Sequence, residues 1–598
     1  MNRTRIWVGN GTLTMVTLWG ILSSCSHQVA PTASAPSAQA DTVVLTKAVV
    51  LRPIVIDTAD QAFHTTTSAI GAYWNAEVSA KSESLYKQHN YRTLWFYDHG
   101  PSPLFSTALN LMKTADVHGL DPSVYVDNEF ESLINDVVKN GADARQVIAL
   151  DRQFTDRFLL FTTHLSEGKV ITVVNGKSVW KRAATQRAMN DVRELTLVYT
   201  AGELIAAVDR IAPQSPQYAR LKQALAAYRA VQKNDVAPIS IPSALKPGER
   251  SAALPQIRRK VFNLNLAAAG AYSVNKDTTQ SIAVNALPVD SLYYDSELSA
   301  AVQSFQRRHG LTGDGVIGDR TLRYMNQRIS DYADQIALNM DRLRWTPTIS
   351  SERYLLVNIP DYKLTVYEGA QRTLEMRVIV GSANTPTPVF NDQLNHIVFS
   401  PTWTVPVSIV RKEIIPNLRK DSTYYSEKNF VIYKQDVQID PALENWKDPN
   451  INPYQLRVVQ NPGADNSLGS VKFMMPNNMS VYLHDTPSRR LFARDYRALS
   501  HGCVRLGEPA KLAAYLLRDQ QGWDAERITK AMSGSSPATI LLKQRYPVYL
   551  TYQTAWVDDN GSLQFREDIY GHDKMQLKQL RTTHSGTVTA VAVSAAGM

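Results

Sequence analysis

The sequence predicts a multidomain α+β protein, and three observations lead to that fold class. The chain has 598 residues, whereas a single hydrophobic core usually stops growing at about 250–300 residues. From residue 68 to residue 232, apolar residues recur at three- and four-residue steps, which is the period of a helix. After residue 350, apolar and polar residues alternate in short runs rich in β-branched residues, which is the period of a strand.

The composition is that of a soluble globular protein, with 44% hydrophobic and 20% charged residues. The formal net charge of +9 is spread along the chain, without a dense Lys/Arg block or a nucleic-acid motif. We therefore expect no nucleic-acid partner. A net positive charge of this size is consistent with a protein that functions near an anionic surface. It is equally consistent with a charge that only keeps the protein soluble.

The first 25 residues are typical of an export signal. A basic start precedes a moderately apolar run, residues 6–21, which is too short and too interrupted to span a membrane. The next letters, "LSSC", resemble a bacterial lipobox whose cysteine, here Cys25, is lipidated; an ordinary signal cleaved after "AQA" at 38–40 is the alternative. Residues 26–60 begin rich in Ala, Ser and Pro and predict a flexible tether.

Cysteine is scarce, because Cys25 and Cys503 are the two in the sequence. An exported chain meets an oxidising compartment, where thiols tend to pair. If Cys25 is lipidated or removed, Cys503 has no intramolecular partner. The sequence therefore predicts a reactive thiol at Cys503.

Residues 61–232 predict a helical scaffold domain. One apolar stripe joins Leu150, Phe154, Phe158 and Leu159 at helical steps, and similar stripes occur elsewhere in the segment. No catalytic constellation stands out here. Residues 233–253 hold three prolines and little periodicity, which predicts a linker.

Residues 254–328 predict a small three-helix domain with tight turns. Val302 and Phe305 lie at helical spacing, and "HGLTGDGVIG", His309 to Gly318, follows with glycines for turns. These residues resemble the peptidoglycan-binding domain found on many wall enzymes. A generic three-helix bundle explains the apolar spacing but not the Gly/Asp pattern. The resemblance leaves open whether this copy binds glycan or only braces its neighbours.

Residues 350–560 predict a mainly β domain with a helix near 509–519. A polar, Asn/Asp/Pro-rich insert at 411–470 interrupts the strands. It is too long for a structureless loop, so we expect it to have helices of its own. The insert is either a lid over a site or a surface excursion. Residues 572–598 predict a loose tail.

The constellation that carries chemistry is a histidine followed, after a spacer, by "SHGC", which ends at Cys503. A thiol attacks as the thiolate, and an imidazole within hydrogen-bond reach lowers the thiol pKa or takes its proton. His484 ends a predicted strand and is the candidate base. Gly502 leaves room for a substrate, and the Gly502 and Cys503 amides are candidate oxyanion donors. Asp485 follows His484 on the strand and points to the opposite face, so we expect a backbone carbonyl to orient the imidazole.

This motif resembles the catalytic motif of YkuD-type L,D-transpeptidases, and the domain order resembles the large periplasmic branch of that family. The resemblance implies that Cys503 is the nucleophile and His484 the general base and acid. His501, two residues before the nucleophile, is poorly placed for proton transfer. The candidate substrate-binding residues are Tyr482, Ser500, His501, Arg505 and Trp403.

Several of these assignments have alternatives. Arg505 either holds a substrate carboxylate or pairs with Glu508, and Tyr482 either contacts substrate or only packs. A zinc site made by the two histidines and Cys503 lacks an obvious fourth ligand and any C-x-x-C or H-E-x-x-H spacing. No G-x-S-x-G frames a serine nucleophile.

The resemblance implies a cell-wall enzyme. Cys503 would attack the bond between the third residue and the terminal D-Ala of a tetrapeptide stem, and the thioester would pass to a diamino-acid amine, giving a 3→3 cross-link. No metal or nucleotide cofactor is needed. Hydrolysis of the thioester would make an L,D-carboxypeptidase, and transfer to a wall protein an anchoring transpeptidase. A non-catalytic peptidoglycan-binding lipoprotein is the alternative of another class.

The implied partners are peptidoglycan stem peptides and, if Cys25 is lipidated, a membrane. The implied location is the periplasm. Ser26, rather than Asp, follows Cys25, and by resemblance to bacterial lipoproteins this favours the outer membrane. The family resemblance also implies acylation of Cys503 by carbapenems.

Overall fold

The computed structural model describes residues 52–59, 72–140, 142–170, 173–174, 177–178, 188–270, 290–345, 349, 351–425 and 428–581. Cys25 and the predicted lipobox lie outside these residues, as do most of the predicted tether and the end of the predicted tail. No helix within the described ranges is long and apolar enough to cross a membrane.

The N-terminal region is mainly helical, and its centre is a long helix with few exposed positions. Its helices are α1 (Ala72–Gln88), α2 (Phe105–Lys113), α3 (Asn128–Asn140), α4 (Ala144–Glu167), α5 (Ala188–Thr196), α6 (Ala201–Ile211) and α7 (Pro216–Val231). Helix α4 starts at a capping box formed by Asp143 and Gln146. It buries the apolar stripe of Phe154 and Phe158 completely, because helices pack around it on several sides.

A small antiparallel sheet closes one side of this region. Its strands are β1 (Pro53–Val55), β2 (Arg92–Tyr97) and β3 (Gly100–Pro101), and a separate pair is formed by β4 (Val173–Val174) and β5 (Lys177–Ser178). Strand β1 lies inside the predicted tether, 26–60, so that prediction is wrong at these residues. The Ile54 amide donates to the Thr93 hydroxyl over 2.9 Å, which helps to hold β1 on β2.

The second region has the helices α8 (Leu254–Gly270), α9 (Ser296–Arg308), α10 (Asp319–Met325) and α11 (Ile329–Trp345). The side-chain amide of Gln306 stabilises the Gly/Asp turn of the sequence motif. Its Nε2 donates to Asp314 Oδ1 and to the Val316 carbonyl, both over 2.9 Å, and its Oε1 accepts from the Gly315 amide. The predicted linker is pinned to the same turn by two backbone hydrogen bonds between Leu245 and Ile317.

The remaining strands are β6 (Arg353–Asn358), β7 (Lys363–Glu368), β8 (Gln371–Gly381), β9 (Phe390–Phe399), β10 (Trp403–Thr404), β11 (Phe430–Lys434), β12 (Val437–Ile439), β13 (Leu456–Gln460), β14 (Val471–Met474), β15 (Leu483–His484), β16 (Ala498–Ser500), β17 (Val504–Leu506), β18 (Ala538–Thr551), β19 (Ala555–Val557) and β20 (Leu563–Phe565). The remaining helices are α12 (Val407–Ile409), α13 (Ile415–Leu418), α14 (Pro509–Leu517), α15 (Ala525–Met532) and α16 (His572–Arg581).

A closed sheet forms the frame of the β domain. The strand order is β16-β8-β17-β15-β14-β9-β18-β6-β7, and β7 also pairs with β8, so the sheet closes on itself. Strands β15 and β17 are parallel neighbours, with Leu483 opposite Val504 and His484 opposite Arg505. This register brings the two halves of the sequence motif side by side, although a spacer separates them in the chain.

The insert between β9 and β14 folds around a core of its own. Strands β10, β13, β11 and β12 form a four-stranded sheet. Helices α12 and α13, joined by a π-helical turn at Val410–Ile414, pack on it and bury residues such as Trp446 and Val458. The insert has the expected helices and also a sheet that the sequence did not predict. Its core begins at Val405, before the predicted boundary at 411.

The predicted loose tail, 572–598, is wrong for its first ten residues, which form helix α16. Asp573, Gln576 and Leu580 are buried against α11. The Arg342 guanidinium donates to Asp573 over 2.6 Å and to Gln576 over 2.7 Å. The ion pair is almost wholly buried, with side-chain exposures of 2% and 9%. Helix α16 is therefore part of the folded body.

Candidate active site

The turn before β17 has a backbone that favours glycine. Gly502 has φ of +118°, a region that residues with a Cβ rarely adopt. The Ser500 hydroxyl accepts from the Gly502 amide over 3.1 Å and donates to the Cys503 carbonyl over 2.6 Å. Thr387 donates to the Gly502 carbonyl over 2.8 Å from the neighbouring segment. These bonds fix where the chain presents Cys503.

Two sequence predictions change here. Ser500 is buried and both of its hydrogen bonds close the turn, so it braces the turn instead of facing a substrate. The Gly502 amide, predicted as an oxyanion donor, is already bonded to Ser500. The Cys503 amide has no acceptor among the described residues and stays available for that role.

His484 is buried and its orientation is set by the main chain. Its Nδ1 lies 2.5 Å from the Asp485 carbonyl. A carbonyl only accepts, so Nδ1 carries the proton and Nε2 is left with a lone pair to receive one. The Asp485 carboxylate instead accepts from the Ser470 and Thr486 amides and from Arg489. The expected orientation by a carbonyl therefore agrees with the geometry.

Cys503 is half-buried beside Tyr482. Tyr482 lies close enough to favour the thiolate form of Cys503, and the thiol lies 3.8 Å from the Ser480 carbonyl. The Tyr482 ring lies 5.7 Å from the His484 ring, and Trp403 lies near enough to the Tyr482 hydroxyl to affect its pKa. Tyr482 and Trp403 thus form one wall of the site, with Trp403 contributed by the insert.

Burial keeps the histidine and the cysteine neutral. Burial, aided by the charges of Arg505 and Lys472, lowers the pKa of His484 to about 3, against the opposing effect of two backbone carbonyls. Burial raises the pKa of the Cys503 thiol, although Tyr482 and Arg505 act in the other direction. Near pH 7 the resting site therefore holds a thiol and a neutral imidazole.

Arg505 stands opposite His484 and is not paired with Glu508. Its buried Nε has no hydrogen-bond partner, and Glu508 pairs with Lys511 instead. Of the two predicted roles, the pairing with Glu508 is wrong, and binding of a substrate carboxylate stays a prediction.

His501 points away from the thiol chemistry and toward the insert. It is exposed, and its Nε2 lies 2.5 Å from Oε1 of Glu413, which belongs to the π-helical turn. This contact joins the catalytic turn to the insert. The Nε2 atom of His501 is thus engaged by Glu413, and the prediction that His501 is not the base stays a prediction.

Sequence reasoning missed two residues of this region, Lys472 and Glu413. Lys472 lies opposite His484 on β14, and its charge acts on the imidazole. Neither residue belongs to a sequence motif. Strand register brings Lys472 to the site, and the π-helical turn of the insert brings Glu413 there.

Comparisons with known proteins match three stretches of the chain. Residues 352–531 match the family described as "L,D-transpeptidase catalytic domain" (YkuD). Residues 80–225 match a "Scaffold domain", and residues 265–325 match a "Putative peptidoglycan binding domain".

A curated relative from Haemophilus influenzae, named "Putative L,D-transpeptidase", is 37% identical over 246 residues, 41% of this chain and 49% of that protein. The match thus spans about half the length of that relative. Similar solved structures include L,D-transpeptidases from Xylanimonas cellulosilytica (12% identity, 52% of this chain, 99% of that chain, TM-score 0.17) and Stackebrandtia nassauensis (14%, 53%, 97%, TM-score 0.19). The sequence matches, rather than these overlays, relate residues 352–531 to the L,D-transpeptidase family.

Proposed function

We propose that this chain, which carries an L,D-transpeptidase catalytic domain of the YkuD family, cross-links peptidoglycan stem peptides through a thioester on Cys503. The observation that carries the proposal is the oriented pair at the site. His484 is neutral and fixed through Nδ1 to a backbone carbonyl, and Tyr482 lies beside both the His484 ring and the Cys503 thiol.

The first half-reaction forms the thioester. Cys503 Sγ attacks the carbonyl carbon between the third residue and the terminal D-Ala of a tetrapeptide stem, while its proton passes to His484 Nε2. The carbonyls of Asp485 and Leu468 stabilise the imidazolium, and the free Cys503 amide donates to the oxyanion. The intermediate collapses, D-Ala leaves as an amine with the proton from Nε2, and the acyl group stays on sulfur.

The second half-reaction reverses these roles. His484 takes a proton from the side-chain amine of another stem's third residue, and that amine attacks the thioester. The thiolate leaves and recovers its proton, which completes a 3→3 cross-link. If water replaces the amine, the same intermediate gives an L,D-carboxypeptidase, and if a wall-protein amine replaces it, an anchoring transpeptidase.

The insert favours the amine over water in this proposal. It contributes Trp403 to the wall of the site and touches the catalytic turn through Glu413 and His501. A folded cover with its own core excludes solvent from the acyl-enzyme more effectively than a loose loop does.

We further propose that the chain works in the periplasm, at the wall, with an anchor at Cys25. The match of residues 265–325 to a peptidoglycan-binding family supports a wall location. Metabolic labelling with a fatty acid, in the native chain and in a Cys25→Ser variant, tests the anchor.

Product analysis with one tetrapeptide donor tests the proposed reaction. We expect a cross-linked dimer and free D-Ala, and a mass increase on the Cys503 peptide when the acceptor is omitted or a carbapenem is added. Cys503→Ala should abolish all three signals while its melting temperature stays unchanged. Turnover in Cys503→Ala would contradict the proposal, and tripeptide without dimer would identify a carboxypeptidase.

A further inference from the structure

Lys472 is a half-buried cation without a counter-charge. It lies on β14, and among the residues that the structure describes it makes no hydrogen bond or ion pair. Its ammonium lies 6.0 Å from the centre of the Tyr482 ring. Burial lowers the pKa of this lysine, with no acidic group to oppose the effect. An ammonium in such a position ordinarily has a partner, because desolvating an unpaired charge is costly.

Arg505 repeats this feature on the other side of the histidine. It is half-buried, its Nε is buried without an acceptor, and it forms no ion pair within the described chain. The carboxylate of Asp485, which follows His484 in the chain, is turned toward Arg489 and the Ser470 amide. Within the part of the chain that the structure describes, no carboxylate forms an ion pair with either cation.

The strand register places both cations on the face that carries the chemistry. Lys472 is the antiparallel partner of His484, and His484 is the parallel partner of Arg505. Directly opposed residues project to the same face of a sheet, as do residues two apart on one strand. Lys472, His484 and Arg505 thus form a row across three strands, beside Tyr482 and Cys503. His396 faces the same ammonium from β9. Burial and the charge of Lys472 lower the pKa of His396, which favours its neutral form.

We propose that Lys472, with Arg505, forms an anion subsite that binds a free carboxylate of the acyl donor beside His484. The inference rests on the proposed function for the identity of the donor. His484 Nε2 delivers a proton to the leaving amine, and in a C-terminal amino acid the carboxylate is separated from that nitrogen by a single carbon. The carboxylate nearest to the imidazole is therefore that of the leaving residue. The subsite makes the enzyme select donors whose scissile bond precedes a chain terminus.

The first experiment reads the local charge without using transpeptidation. Cys503 in the full chain is alkylated with iodoacetate or with iodoacetamide at about pH 8.5, and modification is followed on the Cys503 peptide by mass spectrometry. In both reactions the sulfur displaces iodide from a CH₂ group, so the ratio of the two rates cancels the thiolate fraction. An anion subsite raises the ratio for the anionic reagent.

We expect the iodoacetate-to-iodoacetamide ratio to fall about threefold or more in Lys472→Gln, as one charge within several ångströms predicts. Lys472→Arg should restore the ratio, and Lys530→Gln, which removes an exposed lysine of α15, should leave it unchanged. The folded wild-type chain should also show a higher ratio than the same chain unfolded in urea. That comparison needs no variant, so it decides the matter even if Lys472→Gln does not fold.

The second experiment compares two donors, a tetrapeptide with a free terminal carboxylate and the same peptide as a terminal carboxamide. We expect the wild type to prefer the free acid, mainly through KM, and Lys472→Gln to lose most of that preference. An equal ratio of alkylation rates in the folded wild type, the urea-unfolded chain and Lys472→Gln would overturn the anion subsite while leaving the transpeptidase proposal standing. If the alkylation ratio falls in Lys472→Gln as expected but the wild type turns over neither donor, the proposed reaction would instead be overturned.

Discussion

The neutral state of His484 and Cys503 predicts how the reactivity of Cys503 depends on pH. Burial holds the thiol pKa above its ordinary value of 9.0, and each pH unit below the pKa reduces the thiolate tenfold. At pH 7 the thiolate is therefore less than about 1% of the total. The rate of alkylation by iodoacetamide should rise about tenfold per pH unit from pH 6 to pH 8 without a plateau.

The matched variant is His484→Ala. The imidazole, with a pKa of about 3, is uncharged across this range and does not stabilise a resting thiolate. Alkylation of the variant should stay within about twofold of the wild type, whereas acyl transfer should fall by about 10²- to 10⁴-fold for loss of a general base. A plateau between about pH 5 and pH 8 in the wild type, absent from His484→Ala, would show a preformed thiolate–imidazolium pair and refute this reasoning.

Three further predictions concern the surroundings of the site. In Gly469→Ala the new Cβ would lie 2.4 Å from Cγ of Asp485, so we expect lower kcat and a lower melting temperature; wild-type values of both would contradict this. Removal of residues 572–598 leaves Arg342 without its buried partner Asp573 and should lower the free energy of unfolding in urea by about 3–5 kcal/mol. Removal of a loose tail would leave that free energy unchanged. Glu413→Gln weakens the contact with His501 and should shift products from dimer toward hydrolysis without changing the melting temperature; an unchanged product ratio would exclude a role for this contact.

The sequence was sufficient for the fold class, whereas the catalytic roles of His484 and Cys503 stay a prediction. His484 and Cys503 carry a spacing with chemical meaning, and strand alternation places the histidine correctly with respect to Asp485. The same alternation does not reveal which strands become neighbours. Lys472 is an isolated lysine in a short strand, and only the pairing of β14 with β15 brings it beside the imidazole.

Helix α16 and the insert show a second limit. Helix α16 is rich in polar residues, so its pattern resembles a solvated tail, yet Arg342 provides a buried partner for Asp573 from α11, far away in the sequence. Such compensation between distant charges leaves no local signal. The insert's sheet was missed for a related reason, since its strands are short and separated by Asn/Asp/Pro turns.

The insert leaves the barrel and returns to it at one place. Phe399 at the end of β9 pairs directly with Val471 at the start of β14, and the Ser400 amide donates to the Ser470 carbonyl over 2.8 Å. In topological terms the insert is a domain spliced into the tip of a β-hairpin. The free energy of closing such a loop grows only by about 0.6 kcal/mol for each doubling of its length. The cover is therefore free to change in size and shape, or to be replaced by a short turn, while the strands that hold His484 and Cys503 keep their register.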